Sequence, residues 1–308
     1  MARKLGSAVA VTVLVLGVGL LPAQEATHAT RPLVCVYRDG EHATYHMTAS
    51  NKDVHRDLHY EADVASTVKK NSNGIYVEDF EWTALVTNQQ PTPIPKGSDA
   101  IHQLLSRDPA FALSVPDLSK VPPMLIGPIT DLLTFYVDLQ LAVRDSKLSK
   151  AGDHFLFEYG KPASWADGAA VCVGEDSLDF DVSLVAIDAA KGIATTVVKH
   201  VPPSKPQIRK LADWTAVAVA DTPNNWIQVV KLGPDSYLGQ VGKETFEVRL
   251  ETRLADGHLV SATLENFVDV LERTSKSQDL SNPGEGTRYR IVRKIELRET
   301  VAPTPPGK

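Results

Sequence analysis

What the chain lacks narrows its chemistry first. No serine stands in a Gly-x-Ser-x-Gly elbow, no cysteines form a Cys-x-x-Cys pair, and no glycine-rich phosphate loop follows a strand and opens a helix. No motif implies a cofactor, and none assigns a catalytic residue. No basic block interrupts a chain of formal charge −6, which argues against nucleic acid as a partner. Cysteine is scarce, with Cys35 and Cys172 the only two. Beyond residue 21 no stretch reads as apolar enough to span a membrane.

What is present is ordinary for a folded protein. The 308 residues, 43% hydrophobic and 23% charged, suffice for one large domain or two modest ones. Residues 1–29 read as a targeting segment: Arg3 and Lys4 form a charged start, residues 8–21 are apolar, and cleavage fits after Ala23 or Ala29. Cys35 lies too far from that run for a lipid-anchored signal. The expectation is a soluble exported protein, periplasmic or secreted. Cys35 and Cys172 then form either a bridge, worth about 4–5 kcal/mol in the chain-entropy model, or two independent buried thiols. Spacing alone leaves both open.

Residues 244–273 read as a long antiparallel hairpin. Phe246, Val248, Leu250, Thr252 and Leu254 share one face, and Thr245, Glu247, Arg249, Glu251 and Arg253 the other. A three-residue turn over Ala255-Asp256-Gly257, with Gly257 at positive φ, sets Thr252 opposite Val260, Leu250 opposite Ala262 and Val248 opposite Leu264. Gly257→Val is expected to be costly. Further hairpins are expected over 33–47, around Asp39-Gly40, and over 54–87, turning at 71–74. In the latter Val54, Leu58, Tyr60, Ala62, Val64 and Val68 face inward, then Tyr76, Phe80, Trp82, Ala84 and Val86. A third, 178–201, turns at Ala190-Lys191-Gly192 and echoes the main one, Phe180 matching Phe246, by duplication or by shared amphipathic composition.

Pro91, Pro93 and Pro95 open a helical and irregular insertion over 91–150. Within it a short helix is expected from Ser98 or Asp99 to Arg107, then an irregular 108–127, then one long helix over 128–147 with Pro128 at its first position. That helix is apolar around most of its circumference and is expected to be buried. Short strands at 155–159 and 169–173, a short helix over 207–214, and strands at 226–231 and 287–299 complete the pattern. The tail, 301–308, is expected to be loose.

Other features admit a plain structural explanation beside a functional one. His55 and His59, with Asp57 between them, are metal-ligand candidates on the outward face of a polar strand. Glu175, Asp176, Asp179 and Asp181 lack the glycine and distal glutamate of a calcium loop. Arg288, Arg290, Lys294 and Arg298 share a strand face and are expected to pair with acids such as Glu265 and Asp269, rather than with an anionic headgroup. Trp226, at a loop–strand junction, either lines a pocket mouth or caps the core.

Residues 174–181, 220–226 and 242–246 carry a resemblance that covers most of the mature chain. By these residues it resembles a group of exported bacterial proteins without an assigned activity, a likeness that supplies no catalytic residues. A looser architectural likeness is to half-barrel carriers of lipoproteins and lipids in the bacterial envelope.

The expected fold is mainly β: a strongly twisted antiparallel sheet over 30–300, a half-barrel or open barrel of long hairpins, with one long buried helix on its concave face. The leading functional expectation is a non-enzymatic exported protein binding a lipid, another apolar small molecule or a lipidated partner in that concavity. The expected lining residues are Phe135, Tyr136, Phe246, Leu250, Leu264 and Trp226. A structural or protein-interaction module of the envelope comes second, and a hydrolase with a dispersed site third.

Overall fold

The computed structural model describes residues 32–95, 102–111, 113, 120–144, 147–165 and 171–300. The segment expected to be a signal and the tail lie outside these residues. The chain is mainly β, and its strands form one fourteen-stranded antiparallel sheet that does not close into a barrel. β1 (His42–Lys52), β2 (Asp57–Lys70) and β3 (Tyr76–Thr87) form a meander, and the short β4 (Gln90–Pro91) and β5 (His102–Leu105) both add to β3. The helix α1 (Pro123–Arg144) follows, then the short strands β6 (His154–Phe157), β7 (Ala163–Trp165) and β8 (Val171–Asp176). β9 (Asp179–Asp188) and β10 (Ile193–Val201) form a hairpin. β11 (Trp226–Gly233), β12 (Ser236–Arg253), β13 (Leu259–Ser275) and β14 (Gly286–Thr300) complete the sheet. Its main path runs β4-β3-β2-β1-β14-β13-β12-β10-β9-β6, with β7, β8 and β11 branching from β12.

The alternation predicts the long hairpins well, and local irregularities account for where it errs. Val248 faces Leu264 and Leu250 faces Ala262, as expected. The loop is one residue longer than expected, spanning 254–257, and Thr252 pairs with Leu259 instead of Val260. The register shift next to Val260 absorbs the extra residue and keeps both faces intact. Gly257 has φ +72°, and a Cβ there would meet the Val34 carbonyl oxygen at 1.6 Å, so a side chain is excluded on two grounds. In β3 a bulge at Thr83 turns Leu85 inward in place of Ala84 and Val86.

Five further expectations are corrected. Residues 34–37 form no strand, because both edges of β1 are already taken by β2 and β14; Val36 instead bonds Asp256 across the Gly257 loop. β2 begins only at Asp57, so Val54 and His55 precede it, and Val54 is 61% exposed. Residues 102–105 are strand and not helix, drawn onto β3 opposite residues 78–81. Residues 207–212 are not helical, and a single 3-10 turn spans Asp213–Ala216. The long helix starts five residues early, at Pro123, leaving Pro128 inside it, and ends at Arg144. Pro128 therefore offers no N–H to the Met124 carbonyl.

By length and composition that helix is apolar enough to cross a membrane, but most of it is buried inside the sheet. Its side chains touch both wings. Tyr136 packs edge-on against Phe80 of β3 at 5.3 Å and Asp138 meets His200 of β10 at 2.8 Å, so the sheet curves around the helix. The main core lies between them. A second layer on the opposite face, formed by Ile208, Leu211, Trp214 and Val219, covers Ile227, Val241 and Leu271.

Candidate functional site

The concave face carries a polar row beneath the helix. Register places Phe157, Phe180, His200, Phe246, Asn266, Arg293, Asn51 and Leu58 side by side on eight successive strands. Directly opposed residues point to one side of a sheet, so His200, Asn266, Arg293 and Asn51 interrupt an otherwise apolar surface. The helix answers with Asp131 and Asp138, two turns apart on one face. Seven residues span about 10.5 Å of helix axis, and the three strand steps from His200 to Arg293 span about 14 Å. Side-chain reach closes that difference.

The two acid–base pairs have different surroundings. His200 Nε2 meets Asp138 Oδ2 at 2.8 Å, with both residues buried. The Phe180 and Phe246 rings, 4.6 and 3.5 Å from the imidazole by centroid, close over it, so the echoed phenylalanines of the two hairpins meet on one histidine. Burial raises the Asp138 carboxyl, and His200 opposes the rise. Arg293 forms a short ion pair with Asp131, which also accepts the Tyr60 hydroxyl at 2.5 Å. Burial works against the Arg293 charge, but Asp131, Tyr60 and Glu244 together outweigh it and the arginine stays protonated.

Two cavities adjoin Arg293. One, of about 30 Å³, is bounded by Thr134, Val137, His200, Glu244, Phe246 and Arg293 among others. It has room for one or two waters. Glu244 is buried there. One oxygen accepts from Asn266 Nδ2 at 2.9 Å, and among the described residues the other has no hydrogen-bond partner. Burial pushes its carboxyl up to about 7, against the opposing pull of Asn266 and Arg293. The other cavity, of about 110 Å³, lies between β1, β2 and the start of the helix. Its walls are largely apolar, with Leu58, Pro123, Met124 and Pro128, and its polar floor is Asn51, Tyr60, Asp131 and Arg293. Met124, 41% exposed, stands at its mouth.

A second buried polar group lies on the other side of the helix. Arg107, 1% exposed, meets Glu78 at 3.1 Å and lies over the Tyr37 ring, while Tyr136 donates to Glu78. Tyr45 pairs with His258 at 3.0 Å. Burial pushes the neighbouring Cys35 thiol up to about 11 although Arg107 opposes the rise, so it stays protonated at neutral pH.

The residues singled out by sequence are dispersed. Phe135, Tyr136, Leu250 and Leu264 are fully buried in the main core, and of the six only Phe246 borders a described cavity. Trp226 packs with Trp165, Val268 and Val270 in a separate cluster. His55 bonds Glu272 at 3.0 Å and His59 bonds Asp57 at 2.8 Å, so they do not converge, and the described residues hold no group of three or more metal-ligating side chains. Glu175 meets Arg209 at 3.0 Å and Asp179 accepts the Tyr159 N–H. Arg290 pairs with Asp269 at 2.7 Å and Lys294 with Glu265 at 2.6 Å, as expected; Arg298 takes Glu296 of its own strand, and Arg288 a backbone carbonyl. Cys35 and Cys172 are both free, so the bridge left open by the sequence is absent. Sequence reading missed Arg293, which stands in the inward parity of Tyr289, Ile291 and Ile295.

Compared with known proteins, the chain matches no family model and no curated sequence.

Proposed function

We propose that this chain is a non-enzymatic exported protein that binds an apolar small molecule or the apolar end of a lipid. The ligand enters beside Met124, between the start of the helix and the end of the β1–β2 hairpin at Asn51 and Leu58. The observation that carries this reading is the 110 Å³ cavity: apolar walls, a polar floor and a flexible methionine at its mouth. The concavity first expected to hold the ligand is filled by the helix, which moves the site to the helix's end. The export address rests on residues 1–29. Its test is the N-terminal sequence of protein from the envelope fraction, expected at residue 24 or 30.

Native mass spectrometry of protein from its own host, followed by organic extraction, tests the binding. The expected result is an adduct that the solvent releases and that a Met124→Trp variant, with its cavity filled, lacks. A bare mass, unchanged after incubation with envelope lipids, contradicts it. A protein-interaction role is the second reading. The outer edge of β6 is unpaired among the described residues, Leu156 is 54% exposed, and an open groove of about 410 Å³ lies beside it. Loss of a captured envelope protein on Leu156→Lys favours that reading.

A further inference from the structure

The charge state of the ligand's polar end follows from the cavity floor. Arg293 is the floor's only cation, and Asp131 already neutralises it through a short ion pair. Tyr60, which donates to Asp131, stays a neutral phenol, because burial and the Asp131 charge both raise it well above its ordinary value. The floor as built is therefore close to neutral. An anion placed on Arg293 would compete with Asp131 and leave a buried carboxylate uncompensated. A cation placed on Asp131 would do the same to Arg293.

The unmet demand is for a hydrogen-bond donor. Asn51 Oδ1 is buried, and among the described residues no donor reaches it. Met124 lines the same cavity, and its carbonyl receives no helical N–H from Pro128. At about 110 Å³ the cavity is smaller than the apolar cavity of about 150 Å³ that holds benzene, so it takes a short chain, or a small ring whose far edge stands at the mouth beside Met124.

From these features, and resting on the binding reading above, we infer that the site takes an uncharged apolar group bearing one hydroxyl. The hydroxyl donates to Asn51 Oδ1 while its ring or short chain lies against Leu58, Met124 and Pro128. A fatty-acid carboxylate, the usual polar end of a small lipid ligand, is excluded by the same charge balance.

The test is a titration of the full chain, carrying ¹³C-methyl methionine, with phenol, toluene and benzoate as probes. Met124 at the mouth and Met47, whose sulfur lies 3.2 Å from the Tyr60 hydroxyl oxygen, report from two sides of the site. Phenol is expected to shift both methyl signals and to bind at least tenfold more tightly than benzoate and several-fold more tightly than toluene. Asn51→Leu is expected to erase the advantage of phenol over toluene while toluene binding persists. Benzoate binding as tightly as phenol, or a phenol preference that survives Asn51→Leu, overturns the hydroxyl assignment and leaves the binding site standing. If none of the three probes moves the Met124 signal, the binding reading falls with it.

Discussion

Asp131–Arg293 and Asp138–His200 are alike in layout and opposite in surroundings. Both join one face of the helix to one row of the sheet. The Asp138 pair is closed in by Phe180 and Phe246, beside a cavity with room for a water or two. The Asp131 pair forms the floor of a larger apolar cavity with an exposed methionine at its mouth. The comparison separates two uses of a buried acid–base pair. Where the adjoining space takes only a water or two, the pair fixes the helix on the sheet; where a larger apolar cavity adjoins it, the pair supplies the polar end of the binding site proposed above.

Removing one partner from each pair sharpens the contrast. Asp138→Ala is expected to cost about 3 kcal/mol, because the His200 ring is left without its acceptor in a place water reaches poorly. Urea denaturation at neutral pH gives the number. Glu244 comes next. Its folded-state value of about 7 lies above the ordinary one near 4.3, so the folded protein holds this proton longer than the unfolded chain does. Its contribution is full below about pH 4.3, declines as the pH rises through about 7, and is then lost. Glu244→Gln is therefore expected to stabilise the protein by roughly 2 kcal/mol at pH 8 and to flatten that part of the stability–pH curve. An unchanged curve would mean that solvent reaches the carboxylate.

Asp131→Ala is expected to cost less than Asp138→Ala, about 1–2 kcal/mol, because water entering beside Met124 can solvate Arg293. A cost equal to or above that of Asp138→Ala would break the distinction between an accessible and a closed pair. The smallest effect concerns the cysteines. Two thiols per chain are expected to react in urea, and Cys35, kept protonated by burial, is expected to react slowly with alkylating reagents in the folded state. A mass two hydrogens short of the reduced chain would contradict this.

Much of the fold was legible because strand alternation and glycine turns are local. Asp256-Gly257 and Lys191-Gly192 place two hairpins, and the parity of Val248, Leu250, Ala262 and Leu264 sets a register that the structure keeps. The bulges at Thr83 and Val260 were not legible, because each shifts parity by one residue without a glycine to mark it. The helix start was misplaced because two positions, Pro123 and Pro128, both suit a proline, and a helix tolerates the second at the loss of one hydrogen bond.

The polar row was hidden for a different reason. Asn51, Asp131, Asp138, His200, Glu244, Asn266 and Arg293 come from six strands or helices far apart in the sequence, and only the sheet order β1-β14-β13-β12-β10 brings them together. Its traces were nonetheless present. Arg293 breaks an apolar parity, and Asp131 and Asp138 stand seven apart as the only acids of a long apolar helix. A charged residue on a buried face signals a partner across the core, though not which one.

The contrast between the two cavities is tested most directly by a crystal structure determined under xenon pressure. The account predicts xenon in the apolar cavity between Met124 and Leu58, and ordered water with no xenon beside Glu244 and His200. Xenon beside Glu244, or in neither cavity, would contradict it.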